Sequence, residues 1–127
     1  MIDDRPLVLI VHPDGEARIS LYSLLEREGF RMATRASGTD ALKYVCAQKP
    51  DLVLASTHLP DFGPREFLAE IGRVSLNTRM MLLARREDRD LSVEVPPGVD
   101  VFPWPGRHGE IVSGIRRLLD PVSLRRE

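Results

Sequence analysis

The sequence lacks the features that mark secreted and membrane proteins. Its 127 residues contain one cysteine, Cys46, which excludes an internal disulfide and is typical of a protein in a reducing cytosol. No basic segment leads into an apolar stretch as it does in a signal peptide, and no apolar run reaches the roughly 20 residues that cross a bilayer. We therefore expect a cytoplasmic protein with no membrane partner.

An excess of charge of either sign is also missing. The formal net charge is −1, from 18 basic and 19 acidic side chains. This balance gives no electrostatic reason to expect nucleic acid or an anionic membrane as a partner. The hydrophobic fraction of 43% is ordinary for a globular domain, and a chain of this length needs no metal or disulfide to fold. We assign residues 6–120 to one domain and 121–127 to a polar tail or the start of a linker.

What the sequence contains is an alternation of strand-like and helix-like segments. Aliphatic and alternating runs predict five strands, at residues 7–11, 30–36, 51–57, 79–83 and 99–102. The spacing of apolar residues predicts helices over 16–28, from Ser37 to Pro50, from Pro64 onward and over 108–119. One more helix, the fourth in chain order, is predicted between residues 87 and 98. It should be short or irregular, because Pro96 and Pro97 remove backbone donors.

The second and third helices carry two specific predictions. The second helix should bury an inward stripe of Ala41, Leu42, Val45 and Cys46. Asp61 precedes Pro64, which suits the first turn of a helix, so Asp61 should cap the third helix.

The alternation of strands and helices implies a particular architecture. It predicts an α/β fold with a parallel sheet, covered on both faces and connected by right-handed crossovers. In such a sheet the functional site lies at the carboxyl ends of the strands. Six residues at or just beyond strand ends should therefore surround one crevice: His12, Pro13, Asp14, Ser56, Leu83 and Trp104.

In these segments the chain resembles the receiver domain of bacterial two-component response regulators. The resemblance extends from Leu7 to about Leu119. It is carried by Val8-Leu9-Ile10-Val11 and the following helix, by Asp51-Leu52-Val53-Leu54 with Leu59-Pro60, and by Gly98-Val99-Asp100 with Phe102 and Pro105. The resemblance implies a flavodoxin-like (βα)5 three-layer sandwich, with a five-stranded sheet of order 2-1-3-4-5.

The family transfers a phosphoryl group to an aspartate with the help of Mg²⁺, and the matching positions here have other chemistry. The acidic pair after the first strand falls on His12 and Pro13. The phosphoacceptor aspartate falls on Ser56. The hydroxyl residue that ends the fourth strand falls on Leu83, or on Ala84 if the register slips by one. Since Mg²⁺ requires several oxygen ligands, we expect neither this metal nor another cofactor.

The position of the family's lysine falls on Trp104, and the lysine–proline bond, usually cis in the family, falls on Trp104-Pro105. Two readings of Trp104 remain open. The indole fills the volume left by the lost charged groups, or it is an anchor for a partner, since tryptophan is favoured at interface hot spots. The strand-five aromatic of the family best matches Phe102.

The resemblance and the substitutions together imply a degenerate receiver. We expect a phosphorylation-independent protein-interaction module in bacterial signalling, not an enzyme, whose partner is another signalling protein or domain. The face made by the fourth helix, fifth strand and fifth helix is the candidate partner surface and a candidate homodimer interface. Its candidate contact residues are Phe102, Trp104, Arg85, Arg86 and Arg89.

Two alternatives use the same crevice differently. The first is a small-molecule sensor that binds its ligand at the carboxyl ends of the strands. The second is a hydrolase in which Ser56, His12 and Asp14 serve as nucleophile, base and orienting acid. Against the hydrolase, no glycine elbow surrounds Ser56, and we favour the view that Ser56 and His12 satisfy backbone groups in an inert pocket.

Overall fold

The sheet has the strand order that the resemblance implies. A computed structural model describes residues 4–85 and 95–120, which form five strands and four helices. The strands are β1 (Leu7–Val11), β2 (Arg31–Arg35), β3 (Leu52–Ser56), β4 (Arg79–Ala84) and β5 (Asp100–Pro103). The helices are α1 (Gly15–Arg27), α2 (Gly38–Gln48), α3 (Pro64–Val74) and α4 (His108–Leu119). All strand pairs are parallel in the order β2-β1-β3-β4-β5, which confirms the flavodoxin-like prediction.

The helix that the sequence predicts as the fourth and irregular one lies mostly outside the described residues. The helix that it predicts as the fifth, over 108–119, is therefore the fourth described helix, α4. In the described end of that segment, the Val99 amide donates to the Pro96 carbonyl at 3.4 Å and Gly98 has a φ of 89°. In the part of the chain that the structure describes, no helix is long and apolar enough to span a bilayer.

The helix ends follow the capping residues that the sequence offers. The Asp14 carboxylate accepts a hydrogen bond from the Glu16 amide at 3.4 Å, and the Ser37 hydroxyl accepts one from the Asp40 amide at 3.2 Å. Gly29 follows α1 with a φ of 89°, a conformation that glycine adopts without steric cost. These local signals set where the helices start and stop relative to the sheet.

Two apolar layers cover the sheet. Alternate residues of the central strands face opposite sides, so β3 is buried along its whole length. On one side α1 and α4 pack on the sheet through Leu21, Leu25, Ile111 and Ile115. On the other side α2 and α3 pack through Ala41, Val45, Phe67 and Ile71. Because both faces are buried, the functional surface is confined to the ends and edges of the sheet.

The prediction that Cys46 faces inward is wrong, because its side chain is exposed. Helix α2 is buried along Gly38, Ala41 and Val45, and Leu42 is only half-buried. This stripe is narrow, and Cys46 lies about 100° around the helix from Val45, on the solvent side.

The prediction that Asp61 caps the third helix is also wrong. Its carboxylate reaches the N-terminus of α2, where it accepts hydrogen bonds from the amides of Gly38 and Thr39 at 2.9 and 2.8 Å. The Thr39 hydroxyl donates to it as well, at 2.6 Å. Helix α3 begins after Gly63 without a side-chain cap among the described residues. Asp61 therefore ties the loop after β3 to the start of α2.

Gly114 in α4 has a packing reason for its missing side chain. A Cβ atom there would lie 2.8 Å from two ring atoms of Phe102 and 3.0 Å from the Met81 methyl group. The glycine thus lets the Phe102 ring of β5 pack against α4. In contrast, a Cβ at Gly109 of the same helix would meet no described atom within 4 Å.

We expect Gly114→Ala to destabilise the domain by roughly 1–3 kcal/mol, because the new methyl group overpacks the contact with Phe102. Gly109→Ala is the matched control and should stabilise the fold by up to about 1 kcal/mol through helix propensity. Chemical denaturation of the two variants measures both effects. Equal stability of the two variants would contradict the packing account.

Asp61→Asn should lower stability most at neutral pH. Desolvation raises the pKa of Asp61, but the hydrogen bonds from Thr39 and Gly38 outweigh it and the net pKa is lowered. The carboxylate therefore stabilises the fold above the pKa of the unfolded chain, and this contribution is lost as the pH falls through the lower folded pKa. At neutral pH we expect a loss of about 1 kcal/mol, the scale of a helix cap.

Urea denaturation across a pH series measures this difference between wild type and Asp61→Asn. The control is Asp40→Asn, which removes the same charge from the first turn of α2. Among the described residues, the Asp40 carboxylate accepts no hydrogen bond, so its variant should lose less stability than Asp61→Asn at neutral pH. An Asp61→Asn variant with the wild-type pH profile would refute the assignment.

Candidate functional site

A crevice of about 940 Å³ opens at the carboxyl ends of the strands. All seven residues that the sequence and the resemblance assign to the altered phosphorylation pocket line it: His12, Pro13, Asp14, Ser56, Leu83, Trp104 and Pro105. Its size lies within the range of known ligand pockets. The structure thus brings these side chains together around one crevice.

Other lining residues were not assigned to the site from the sequence. They include Glu16, Ser20 and His108. His108 is the first residue of α4, directly after the turn that holds Trp104. The one sequence signal that could have placed His108 at the crevice is that it closely follows this turn.

The loop after β1 is held by hydrogen bonds to its own backbone. The Asp14 amide donates to Nδ1 of His12 at 3.1 Å. The Arg18 guanidinium, from α1, donates to the carbonyls of His12 and Pro13 at 2.7 and 3.1 Å. These contacts fix the His12 ring and the loop.

The charge state of His12 follows from its surroundings. Burial lowers the pKa of His12, the Asp14 carboxylate raises it, and the Arg18 and Arg85 guanidinium groups lower it further. The net pKa is below the ordinary value of 6.5, so the ring is neutral at neutral pH.

Ser56 forms the floor of the crevice at the end of β3. Its side chain is 6% exposed, and its Oγ accepts a hydrogen bond from the His58 amide at 3.0 Å. Such a bond to the backbone two residues on is a common role for serine. His58 itself is exposed, with its ring Nδ1 3.1 Å from the Thr57 hydroxyl.

Leu83 and Ala84 form the adjoining wall on β4. Leu83 pairs with Ser56 on one side and with Phe102 on the other, and both Leu83 and Ala84 line the crevice. The wall therefore carries no hydroxyl in either of the two registers that the sequence left open.

Trp104 closes the crevice from the β5 side. Its amide donates to the Ala84 carbonyl at 2.9 Å, and the Trp104–Pro105 bond is cis, as the resemblance implies. The indole stacks on the His108 ring with a centroid distance of 5.5 Å and an angle of 16°. It is half-buried, so one part packs on the core and another part faces solvent.

The candidate partner residues are only partly described. Arg85 is exposed and borders the crevice, whereas Arg86 and Arg89 lie outside the described residues. Phe102 is half-buried, and its ring packs close to Gly114 of α4.

The donor set of the crevice does not fit Mg²⁺. The carboxylates that line it are those of Asp14 and Glu16, and the Asp14 carboxylate already caps α1. Pro13 offers no side-chain donor and Nδ1 of His12 is occupied, although this metal requires several oxygens in octahedral array. Within residues 4–85 and 95–120, no group of three or more His, Cys, Asp or Glu side chains could hold a metal ion.

The contacts of Ser56, His12 and Asp14 also differ from a catalytic triad. Nδ1 of His12 accepts a hydrogen bond from a backbone amide, whereas in a triad it donates to a carboxylate. The Asp14 carboxylate faces the Glu16 amide, and Ser56 Oγ is bonded to the His58 amide. This geometry gives no support to the hydrolase alternative.

Comparison with known proteins identifies the family. A family model described as the response regulator receiver domain matches residues 8–96. The chain is 36% identical over 97 residues to the transcriptional regulatory protein AfsQ1 of Streptomyces coelicolor, which covers 76% of this chain and 43% of that protein. It is 35% identical over 113 residues to a CpxR homolog of Haemophilus influenzae, with 88% and 49% covered. The chain thus spans about half the length of these relatives.

A solved structure has the same fold as this chain. The signal receiver domain of an HD domain-containing protein from Pseudomonas fluorescens superposes with a TM-score of 0.85 at 22% identity. The superposition covers 99% of this chain and 95% of that one. With the family model matched over most of the chain, and with the sheet order and crevice described above, this chain belongs to the response regulator receiver domain family.

Proposed function

We propose that this receiver domain is a phosphorylation-independent protein-interaction module of a bacterial two-component pathway, working in the cytoplasm. The observation that carries the proposal is the floor of the crevice. The residue at the end of β3 is Ser56, a buried neutral hydroxyl whose oxygen is bonded to the His58 amide. A carboxylate nucleophile is absent from that position.

The supporting groups for phosphoryl chemistry are also replaced. Phosphoryl transfer depends on cations that neutralise charge developing on the phosphoryl oxygens. At the corresponding positions the crevice has His12, Pro13, Leu83 and Trp104. His12 is neutral at neutral pH and Leu83 is aliphatic, so they supply neither a metal ligand set nor a fixed positive charge.

The contacts around the crevice favour one conformation that does not switch. Trp104 is held by the Ala84 carbonyl and by the His108 ring, and Phe102 packs on Gly114. These contacts join β4, β5 and α4. A module with this arrangement binds its partner through a surface that is always present.

We propose that the partner is another signalling protein or domain. The part of Trp104 that faces solvent and the exposed Arg85 place an aromatic group beside a positive charge at the end of β5 and β4. Tryptophan and arginine are enriched at interface hot spots. The same region, with α4, is our candidate for a homodimer interface.

A second candidate function is small-molecule sensing. The crevice has a volume of about 940 Å³ and contains polar and aromatic lining groups, as ligand sites do. In this function a ligand would replace phosphorylation as the signal.

We expect beryllofluoride with Mg²⁺ to leave the amide NMR spectrum unchanged. The reason is that beryllofluoride mimics a phosphoryl group bonded to a carboxylate, and the floor of the crevice offers only Ser56. The control is MgCl₂ alone at the same ionic strength. Saturable shifts confined to Ser56, Leu83 and Trp104, seen only with beryllofluoride, would count against the proposal.

Trp104→Lys should abolish or strongly weaken partner capture, because it removes the aromatic anchor and leaves a charge in its place. The measurement is affinity capture from a lysate of the source organism, read by quantitative mass spectrometry. Leu76→Lys is the matched control, because Leu76 is 92% exposed and lies beyond α3, away from the crevice. Circular dichroism should verify that both variants fold. Equal recovery of the same partners by both variants would reject Trp104 as the anchor.

A further inference from the structure

The lining of the crevice contains a buried hydrogen-bond donor that lacks an acceptor. Ser56 Oγ accepts a hydrogen bond from the His58 amide, which leaves the hydroxyl hydrogen to be donated elsewhere. The part of the chain that the structure describes offers no acceptor for this hydrogen. Because the Ser56 side chain is only 6% exposed, water has little access to it. A buried donor without an acceptor costs free energy, which an acceptor atom of a ligand would recover.

The His12 ring supplies a second neutral donor to the same crevice. Its Nδ1 accepts a hydrogen bond from the Asp14 amide, so this nitrogen carries no hydrogen. Burial lowers the pKa of His12, and in the resulting neutral ring the hydrogen is on Nε2. Among the described residues Nε2 has no acceptor. The crevice therefore presents two uncharged donors, from the loop after β1 and from the end of β3.

The fixed charges of the lining oppose an anionic ligand. The carboxylates of Asp14 and Glu16 line the crevice, against the guanidinium of Arg85. This surplus of negative charge would repel a carboxylate or a phosphate, so an uncharged group such as a carbonyl is the better acceptor for the two donors. The Glu16 carboxylate accepts no hydrogen bond from a described residue, and it is free to accept one from an N–H group of a ligand.

The walls of the crevice favour a flat ring. On the β5 side the Trp104 indole is half-buried and stacks on the exposed His108 ring, with 5.5 Å between the centroids. On the β4 side the wall consists of the aliphatic side chains of Leu83 and Ala84. Aromatic surfaces bind flat rings by offset stacking, and aliphatic surfaces add dispersion contacts. The volume of about 940 Å³ has room for a ligand of more than one ring.

We propose that the crevice binds an uncharged, planar heteroaromatic ligand whose ring carbonyl accepts hydrogen bonds from Ser56 and His12 while the ring packs on Trp104. A fused lactam has this pattern, because it joins a carbonyl acceptor to an N–H group that Glu16 accepts. The inference names the ligand class of the small-molecule function proposed above and rests on that function. The ligand is held without a covalent bond.

Three small bicyclic probes separate the features that the inference assigns to the ligand. Carbostyril, the lactam of quinoline, is uncharged and has both the ring carbonyl and the N–H group. Indole is an uncharged ring of similar size with an N–H group and no carbonyl. Quinaldate has the quinoline ring and a carboxylate, so it is an anion at neutral pH. Each probe is titrated into the isotope-labelled chain at neutral pH, and amide NMR measures the affinity and locates the site.

We expect carbostyril to bind saturably with a Kd on the order of 1 mM or tighter, as suits a ligand of this size. The shifts should be confined to the amides around Ser56, His12 and Trp104. Indole should bind at least roughly threefold more weakly, because it lacks an acceptor for the two donors. Quinaldate should also bind at least roughly threefold more weakly, because Asp14 and Glu16 repel its carboxylate.

Substitutions test the assignment of the individual groups. Ser56→Ala should weaken carbostyril binding roughly threefold, the scale of a hydrogen bond between neutral groups, and should affect indole less. Ser113→Ala is the matched control, because Ser113 is exposed on α4 and does not line the crevice. Glu16→Gln should strengthen quinaldate binding, since it removes one of the two repelling charges. Urea denaturation verifies that the variants fold, and the three probes on the wild-type chain decide the inference if Ser56→Ala does not.

Two results would overturn the inference on the wild-type chain alone. One is the lack of saturable carbostyril binding up to about 5 mM, several times the expected Kd. The other is tighter binding of quinaldate or of indole than of carbostyril. Equal affinity of wild type and a folded Ser56→Ala variant for carbostyril would also overturn it. These samples contain neither Mg²⁺ nor a phosphoryl donor, so each of these failures is distinct from a failure of the beryllofluoride test.

Discussion

The parallel register between β3 and β4 is the constraint on which the crevice depends. Ser56 pairs with Leu83, and the Thr57 amide donates to the Leu83 carbonyl at 3.0 Å. Both strands are buried between two helical layers, so a slip of one residue would turn every apolar side chain to the wrong face. The register therefore places a neutral hydroxyl beside an aliphatic side chain at the floor of the crevice. Any chemistry at this site starts from those two groups.

The loops above this floor are held by contacts within the chain. The His58 amide binds Ser56, the Asp14 amide binds His12, and Trp104 stacks on His108. The first two contacts engage Ser56 Oγ and Nδ1 of His12, at positions where the family has carboxylates. The fold of the receiver family is thus present with a crevice whose polar groups stabilise the protein itself. This arrangement is the physical basis for proposing a module whose binding surface is present without phosphorylation.

The sequence predicted the sheet well because its strands are aliphatic runs of the right length between clear helix caps. Positions at strand ends, such as Ser56 and Leu83, followed directly, since parallel strands end at one edge of the sheet. The errors concern contacts between elements. Asp61 binds the start of α2, 22 and 23 residues away in sequence, and no local pattern indicates that partner. Cys46 was predicted to face inward because the spacing of apolar residues identifies the buried face of α2 but does not give the width of that face. His108 was missed because the turn at Trp104 sets the position of α4.

The most direct test of the account is intact-mass spectrometry of the chain after incubation with acetyl phosphate and Mg²⁺. We predict the unmodified mass, before and after treatment with hydroxylamine, because Ser56 cannot form an acyl phosphate. A single phosphoryl adduct that hydroxylamine removes would show an acyl phosphate on this chain and would contradict the account.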